Sequence, residues 1–167
     1  MDMLVNIDVP DLAGAEAFYC NAFGLRPGRR FGEAALELTG GSVTLYLLVK
    51  EEGSAPTPQG AGVRSYSRHW SPVHLDFVVA DIGAATHKAL AAGAALEAPV
   101  KIARWGKLAT FADPFGHGFC LIEFLGRGYD EIADAQTTQA DASNDEDLRE
   151  QVGTGNAAKH GGTPCNC

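Results

Sequence analysis

The sequence predicts an α+β domain built from two βαβββ modules, with the helices outside a curved mixed sheet. Three observations predict it. Residues 5–12 (Val-Asn-Ile-Asp-Val-Pro-Asp-Leu) are echoed by residues 75–82 (Leu-Asp-Phe-Val-Val-Ala-Asp-Ile), each an apolar run of strand length closed by Asp and an aliphatic residue. Each run enters an Ala-rich stretch with one apolar face that stops near a glycine. Short β-like runs separated by turn sequence then follow each stretch. Internal similarity of this kind marks a repeated supersecondary unit, and helices and strands at this spacing suit an α+β layer arrangement.

The elements can be justified in order. The opening runs are rich in β-branched and aromatic residues, which favour strands. Asp11 and Asp81 are placed as helix N-caps, where a short carboxylate accepts bonds from free backbone N–H groups. Leu12, Ala15, Tyr19 and Phe23 fall on one helical face, widened by Phe18 and Ala22, and Ile82, Ala85, Ala89 and Ala92 repeat the stripe. Gly24 and Gly93 are natural stops, because glycine enters the left-handed conformation at little steric cost. After the first helix, residues 34–38 and 43–49 read as strands joined by Thr39-Gly40-Gly41-Ser42. After the second, residues 107–112 and 119–125 are joined by Asp113-Pro114-Phe115-Gly116-His117-Gly118. Weaker strands at 25–31 and 95–103 complete three per module. Residues 51–68, rich in Gly, Pro and Ser, read as a linker.

The expected domain therefore covers residues 1–136: module one 1–50, the linker, module two 69–127 and an extension to 136. Beyond it large apolar residues nearly vanish and acidic ones are spread among Ala, Gln, Thr and Asn. Residues 137–167 bury too little surface to offset chain entropy and are expected to form a disordered acidic tail.

Composition excludes several function classes. The formal net charge is −8 and no Lys/Arg cluster appears, which argues against a nucleic-acid surface. No apolar run approaches the roughly 20 residues of a membrane span. Residues 1–9 lack a basic stretch followed by an apolar segment, so a cytoplasmic location is expected. The four cysteines do not resemble a disulfide framework; Cys20 and Cys120 sit in apolar surroundings and are expected as reduced core thiols. Cys165-Asn166-Cys167 has no second cysteine pair to complete a metal site. A Gly-x-Ser-x-Gly nucleophile elbow and a Gly-rich phosphate loop are both absent.

Particular passages resemble a known family. Val9-Pro10-Asp11-Leu12, with Ala17-Phe18-Tyr19 and Phe23-Gly24-Leu25, is similar to the opening of a vicinal oxygen chelate module, and residues 73–82 to the opening of a second. Residues 111–124 resemble that module's Asp-Pro-x-Gly closing hairpin. Over residues 3–127 the chain thus resembles the glyoxalase / bleomycin-resistance / extradiol-dioxygenase superfamily. The resemblance implies paired modules, a concave cup for a metal or a small molecule, and homodimers with cups shared between chains.

It also implies metal ligands at two points of each module, early in the first strand and in the last strand. Carried over, these points are Leu4 and His74, then Leu45 (or Tyr46) and Cys120. Only His74 matches the usual His/Glu pattern, and leucine offers no donor. No cofactor is therefore expected; a divalent metal, if bound, would use His74 with Cys120 or Glu123, although Glu123 points away from Cys120 on an extended strand. His74 is the candidate catalytic residue. His74, Tyr46, Cys120, Trp70 and Trp105 are the candidate ligand-binding residues, the tryptophans as apolar walls with an indole N–H handle. Ordinary reading of His69 is a solvated side chain, of His117 a turn residue and of Arg104 an exposed cation. The function expected is binding of a small, largely apolar or aromatic molecule. The alternatives are a metal-dependent glyoxalase-type lyase or isomerase, an extradiol-type dioxygenase, and a vestigial cup whose role is dimerisation or partner binding through the acidic tail.

Overall fold

The computed structural model describes residues 2–60 and 62–134. The expected tail, with Cys165 and Cys167, lies outside the described residues.

Module one runs β1 (Leu4–Val9), α1 (Leu12–Phe23), β2 (Arg26–Phe31), β3 (Ala35–Thr39) and β4 (Thr44–Val49). Module two runs β5 (Leu75–Val78), α2 (Ile82–Ala91), β6 (Ala95–Leu96), β7 (Lys101–Ala103), β8 (Gly106–Ala112) and β9 (Gly118–Phe124), and a 3₁₀ turn (Gly128–Glu131) follows. The α+β class and the paired βαβββ pattern are thus present. The strand expected at 95–103 is split into β6 and β7, both paired to β8. Pro99 lies in the break and has no N–H to give a ladder.

Local chemistry explains the helices. Asp11 Oδ1 and Oδ2 accept from Ala13 N at 3.1 Å and Gly14 N at 3.0 Å, and Asp81 Oδ1 accepts from Ala84 N at 2.9 Å. Gly24 closes α1 at φ 69°, and its N–H donates to the Cys20 carbonyl. The α1 stripe buries Leu12, Ala15, Phe18, Tyr19 and Ala22.

Among the described residues, strands bond within modules only. The sheets run β1-β4-β3-β2 and β5-β9-β8-β6. In each, the first and last strands of the module pair in parallel, β1 with β4 and β5 with β9, while the others are antiparallel. The helix-facing sides of both sheets and both helices share one core. It contains Leu36, Leu38, Leu47, Phe111 and Leu121, with Phe18 meeting Phe119 edge-on and Phe23 stacked on Phe77 at 3.9 Å between centroids.

Polar bonds then hold the modules in register. Tyr19 OH of α1 donates to Asp113 Oδ2 at 2.7 Å in a buried position, while Asp113 Oδ1 accepts from Phe115 N and His117 N. His117 Nε2 lies 2.8 Å from the Asp8 carbonyl, which can only accept, so the ring proton is on Nε2. Among its described residues the linker has no helix or strand, yet it is fastened. Arg64 Nε donates to Asp8 Oδ2 at 2.7 Å and Tyr66 OH to the Lys50 carbonyl at 2.7 Å. Gly116 sits at φ 85°, and a Cβ there would stand 2.6 Å from the Tyr66 carbonyl, so this turn needs glycine for two reasons.

Candidate functional site

Strand alternation divides each sheet into a core face and an outer face. On β5 and β9, Leu75, Phe77, Phe119 and Leu121 belong to the core. His74, Asp76 and Cys120 therefore share the opposite face. Register places Asp76 beside Cys120 and Cys120 beside Thr110, in one row across β5, β9 and β8. Glu97 N bonds to the Thr110 carbonyl at 2.9 Å and extends that row.

The row is a compact polar cluster. His74 Nε2 is 3.3 Å from Asp76 Oδ1, and one donor atom from each of His74, Asp76 and Cys120 lies within 4.8 Å of the other two. Thr110 Oγ1 is 3.8 Å from Cys120 Sγ. Burial pushes the Cys120 thiol up; the Thr110 bond pulls the other way, and the Asp76 and Glu97 carboxylates reinforce the rise.

An aromatic and cationic strap from the end of the linker crosses this face. Trp70 lies 4.8 Å from the His74 ring, the Arg68 guanidinium sits 5.6 Å from the Trp70 ring, and Arg68 Nη2 donates to Glu97 Oε2 at 2.6 Å. Gly118 makes the crossing feasible, because a Cβ there would come within 2.9 Å of the Trp70 ring. His74 also lines a cavity of about 470 Å³ with Asn6, Asp8, Tyr19 and His69, between the β1 and β5 edges. That volume is in the range of small-ligand pockets.

Module one presents a different row. Asn6, Tyr46 and Glu37 are register partners across β1, β4 and β3. Glu37 is buried at 8% exposure and holds a closed network. Arg29 Nε donates to its carboxylate at 3.1 Å, Tyr46 OH donates to Glu37 Oε1 at 2.8 Å, and Arg29 Nη2 donates to Tyr46 OH at 2.8 Å. The Arg29 side-chain bond, then its backbone N–H and the Tyr46 phenol, hold the Glu37 carboxyl at about 2. The bond to Glu37 is the main reason the Tyr46 phenol is raised.

Several expectations change against this geometry. Tyr46 occupies the point equivalent to Cys120; Leu45 faces the core and is 6% exposed. Glu123 is not a partner for His74. It lies on the core side, accepting from Ile82 N at 2.8 Å and Lys107 Nζ at 2.7 Å, and the Ile82 N–H chiefly lowers its carboxyl. Trp105 is remote from the cluster. It packs on Tyr129 at 4.9 Å and Phe124 at 6.3 Å, beside the Gly106–Phe124 pair, four residues along β9 from Cys120. His69 is exposed beside the Ser67 carbonyl, and Arg104 is exposed. Sequence reading missed Asp76, Arg29, Glu37 and Thr110. Strand parity was the available signal: Asp76 is two residues from His74, and Glu37 sits between two core leucines.

The two-module metal centre implied by the resemblance does not fit these residues. Module one offers Leu4, which has no donor, and a Tyr46 phenol already engaged by Glu37 and Arg29.

Two modules of this topology, each with an outer-face row of polar residues at its first and last strands, define a glyoxalase-type fold. The model of the Glyoxalase-like domain matches residues 4–122, and the chain belongs to that family. An uncharacterized protein of Mycobacterium bovis is 33% identical over 144 residues, covering 80% of this chain and 90% of that protein. A glyoxalase/bleomycin resistance protein/dioxygenase family enzyme from Burkholderia phytofirmans superposes with TM-score 0.59 at 22% identity, covering 75% of this chain and 100% of that one. The fosfomycin resistance protein FosX of Mesorhizobium loti gives TM-score 0.57 at 16% identity, covering 80% and 97%. At these identities the two structures support the fold alone. Among the described residues no helix is long and apolar enough to cross a membrane.

Proposed function

We propose that the chain is a cytoplasmic small-molecule-binding member of the glyoxalase-like family whose outer sheet faces take an apolar or aromatic ligand without the two-module metal centre. The observation that carries this reading is the asymmetry of the two rows. Module two presents His74, Asp76 and Cys120 under the Trp70 ring, while module one presents Leu4 and a phenol locked onto Glu37. An indole wall, an imidazole and a half-exposed carboxylate supply the few polar contacts a mostly apolar pocket uses for orientation. Exposed apolar residues beside the rows, Leu4 at 59% and Val78 at 63%, support a homodimer that covers these faces and encloses the ligand. The lyase, isomerase and dioxygenase readings need Lewis-acid donors from both modules, and Leu4 and Tyr46 weigh against them.

A thermal-shift screen of aromatic and antibiotic-like compounds on chelator-treated protein tests the reading. Hits should raise the melting temperature of the parent and lose at least half of that shift in His74→Ala. Well-folded protein with no response to any compound class, or responses indifferent to His74→Ala, would refute it.

A further inference from the structure

We infer that a second cavity, on the helix side of the module boundary, binds an apolar monocarboxylate whose head pairs with Lys88. The cavity measures about 690 Å³ and extends from the end of α1 and the β3–β4 turn to the β5–α2 junction and the first turns of α2. It adjoins the His74 cavity at Val5, Leu75 and Phe77, but His74, Cys120 and Trp70 do not line it. The site is therefore separate from the outer-face rows.

An incomplete repeat leaves the hollow. The echo of residues 5–12 at 75–82 puts Lys88, Ala89 and Gly93 where α1 carries Phe18, Tyr19 and Phe23. Those three rings pack together in the core around α1. Helix α2 has no counterpart to them, and Ala84 and Ala85 border the space that remains. Across it stand Phe23 and Phe77, stacked on each other and both half-buried, with buried Leu25 beside them. A flat or alkyl body seated there leaves water on several sides, and the volume is in the range of small-ligand pockets.

Charge decides which apolar molecule fits. Asp81, Ala84, Ala85 and Lys88 are spaced i, i+3, i+4, i+7 and so share one side of α2. Both lining acids are already engaged: Asp81 Oδ1 accepts from Ala84 N at 2.9 Å, and Asp76 Oδ1 lies 3.3 Å from His74 Nε2. Lys88 is exposed, is the one cation among the described lining residues, and has no carboxylate partner among the described residues. Its ammonium calls for an anion, and its aliphatic stem can lie along the apolar body behind that anion. Asp81 sits two helical turns away, about 10 Å along the axis. A second carboxylate at that end of the ligand meets a like charge, so a monoacid is favoured over a diacid.

The test is calorimetric titration of the full-length protein at neutral pH with naphthoate, its uncharged analogue naphthamide, and a naphthalene dicarboxylate bearing its groups at opposite ends. Naphthoate should bind saturably, and naphthamide and the diacid roughly 10-fold or more weakly. Lys88→Met, at an exposed position, should weaken naphthoate by a similar factor and leave naphthamide unchanged. Ala84→Leu, also at an exposed helical position, should weaken both by filling the space, with a urea midpoint near the parent's. His74→Ala should leave the Lys88-dependent binding intact. No saturable naphthoate binding, equal binding of naphthamide, indifference to Lys88→Met or to Ala84→Leu, a diacid as tight as the monoacid, or loss in His74→Ala would each overturn the assignment. The outer-face reading stands or falls on His74→Ala and this one on Lys88→Met, so either can fail alone.

Discussion

Tyr19→Phe isolates the bond that ties module one to the closing turn of module two. The ring is 4% exposed and packs edge-on against Phe18 at 5.0 Å between centroids, contacts that phenylalanine keeps. Only the hydroxyl is lost. Its partner, Asp113, is 6% exposed, and the bond measures 2.7 Å. Asp113 Oδ1 retains the Phe115 and His117 N–H groups, but Oδ2 has no other donor among the described residues. A hydrogen bond to a charged group contributes about 1.5–3 kcal/mol, and a buried acceptor left bare costs about as much. A destabilisation of about 2 kcal/mol follows, equivalent to a fall of roughly 5–10 °C in melting temperature for a domain of this size. Urea denaturation should show a lower midpoint with an unchanged slope, as expected when only the native state is altered. The alkaline limb gives a second reading. Burial, then the Asp113 charge and bond, raise the Tyr19 phenol well above its usual 10. A group raised on folding binds its proton more tightly in the native state. Its stabilisation is complete below the unfolded value and drains away as pH climbs above about 10 towards the folded value. The parent should therefore lose stability more steeply than the variant on that limb. A variant with the parent's midpoint, or with the same alkaline slope, would refute the argument.

Three further outcomes follow from the same structure. Glu37→Gln should flatten the acid limb: the parent carboxyl is held at about 2, so its contribution is present above roughly pH 4.5 and is lost as pH falls towards 2, which denaturation at stepped pH will show as a gap that closes in acid. Phe111→Ala removes a fully buried ring stacked 5.2 Å from Phe119 and should cost about 3–5 kcal/mol by urea denaturation, with a loss under 1 kcal/mol counting against a rigid shared core. In Gly118→Ala the new methyl displaces Trp70 and Arg68 rather than backbone, so tryptophan emission should change while stability falls by less than about 1 kcal/mol; unchanged emission would mean that the strap does not rest on β9.

Much of the fold was legible because it is written in short-range patterns. Asp11 and Asp81 announce their helices by side-chain chemistry that needs nothing distant. The apolar stripe of α1 follows from a 3.6-residue period, and the repeat beginning at Val5 and Leu75 reveals the duplication. His74 and Cys120 came to notice through the family resemblance, which implies ligands early in a module's first strand and in its last strand. Asp76 escaped notice because a carboxylate beside a predicted strand reads as solvated until its register with Cys120 is known. Glu37 escaped because its partners, Arg29 and Tyr46, are 8 and 9 residues away and meet it only through antiparallel pairing. Trp105 shows the same limit: composition marks an aromatic, and only the turn after β9 reveals that Tyr129 packs against it.

The sequence by itself determined the module type, the helix starts and the apolar stripe of α1, because periodicity and capping act within a few residues. Tertiary structure alone decided which polar side chains meet. Cys120 gains Asp76 and Thr110 from neighbouring strands, Asp113 gains Tyr19 across the module boundary, and Glu123 is turned away to cap α2. Pairing register and module docking are set by summed packing over the shared core, and no local motif encodes that sum.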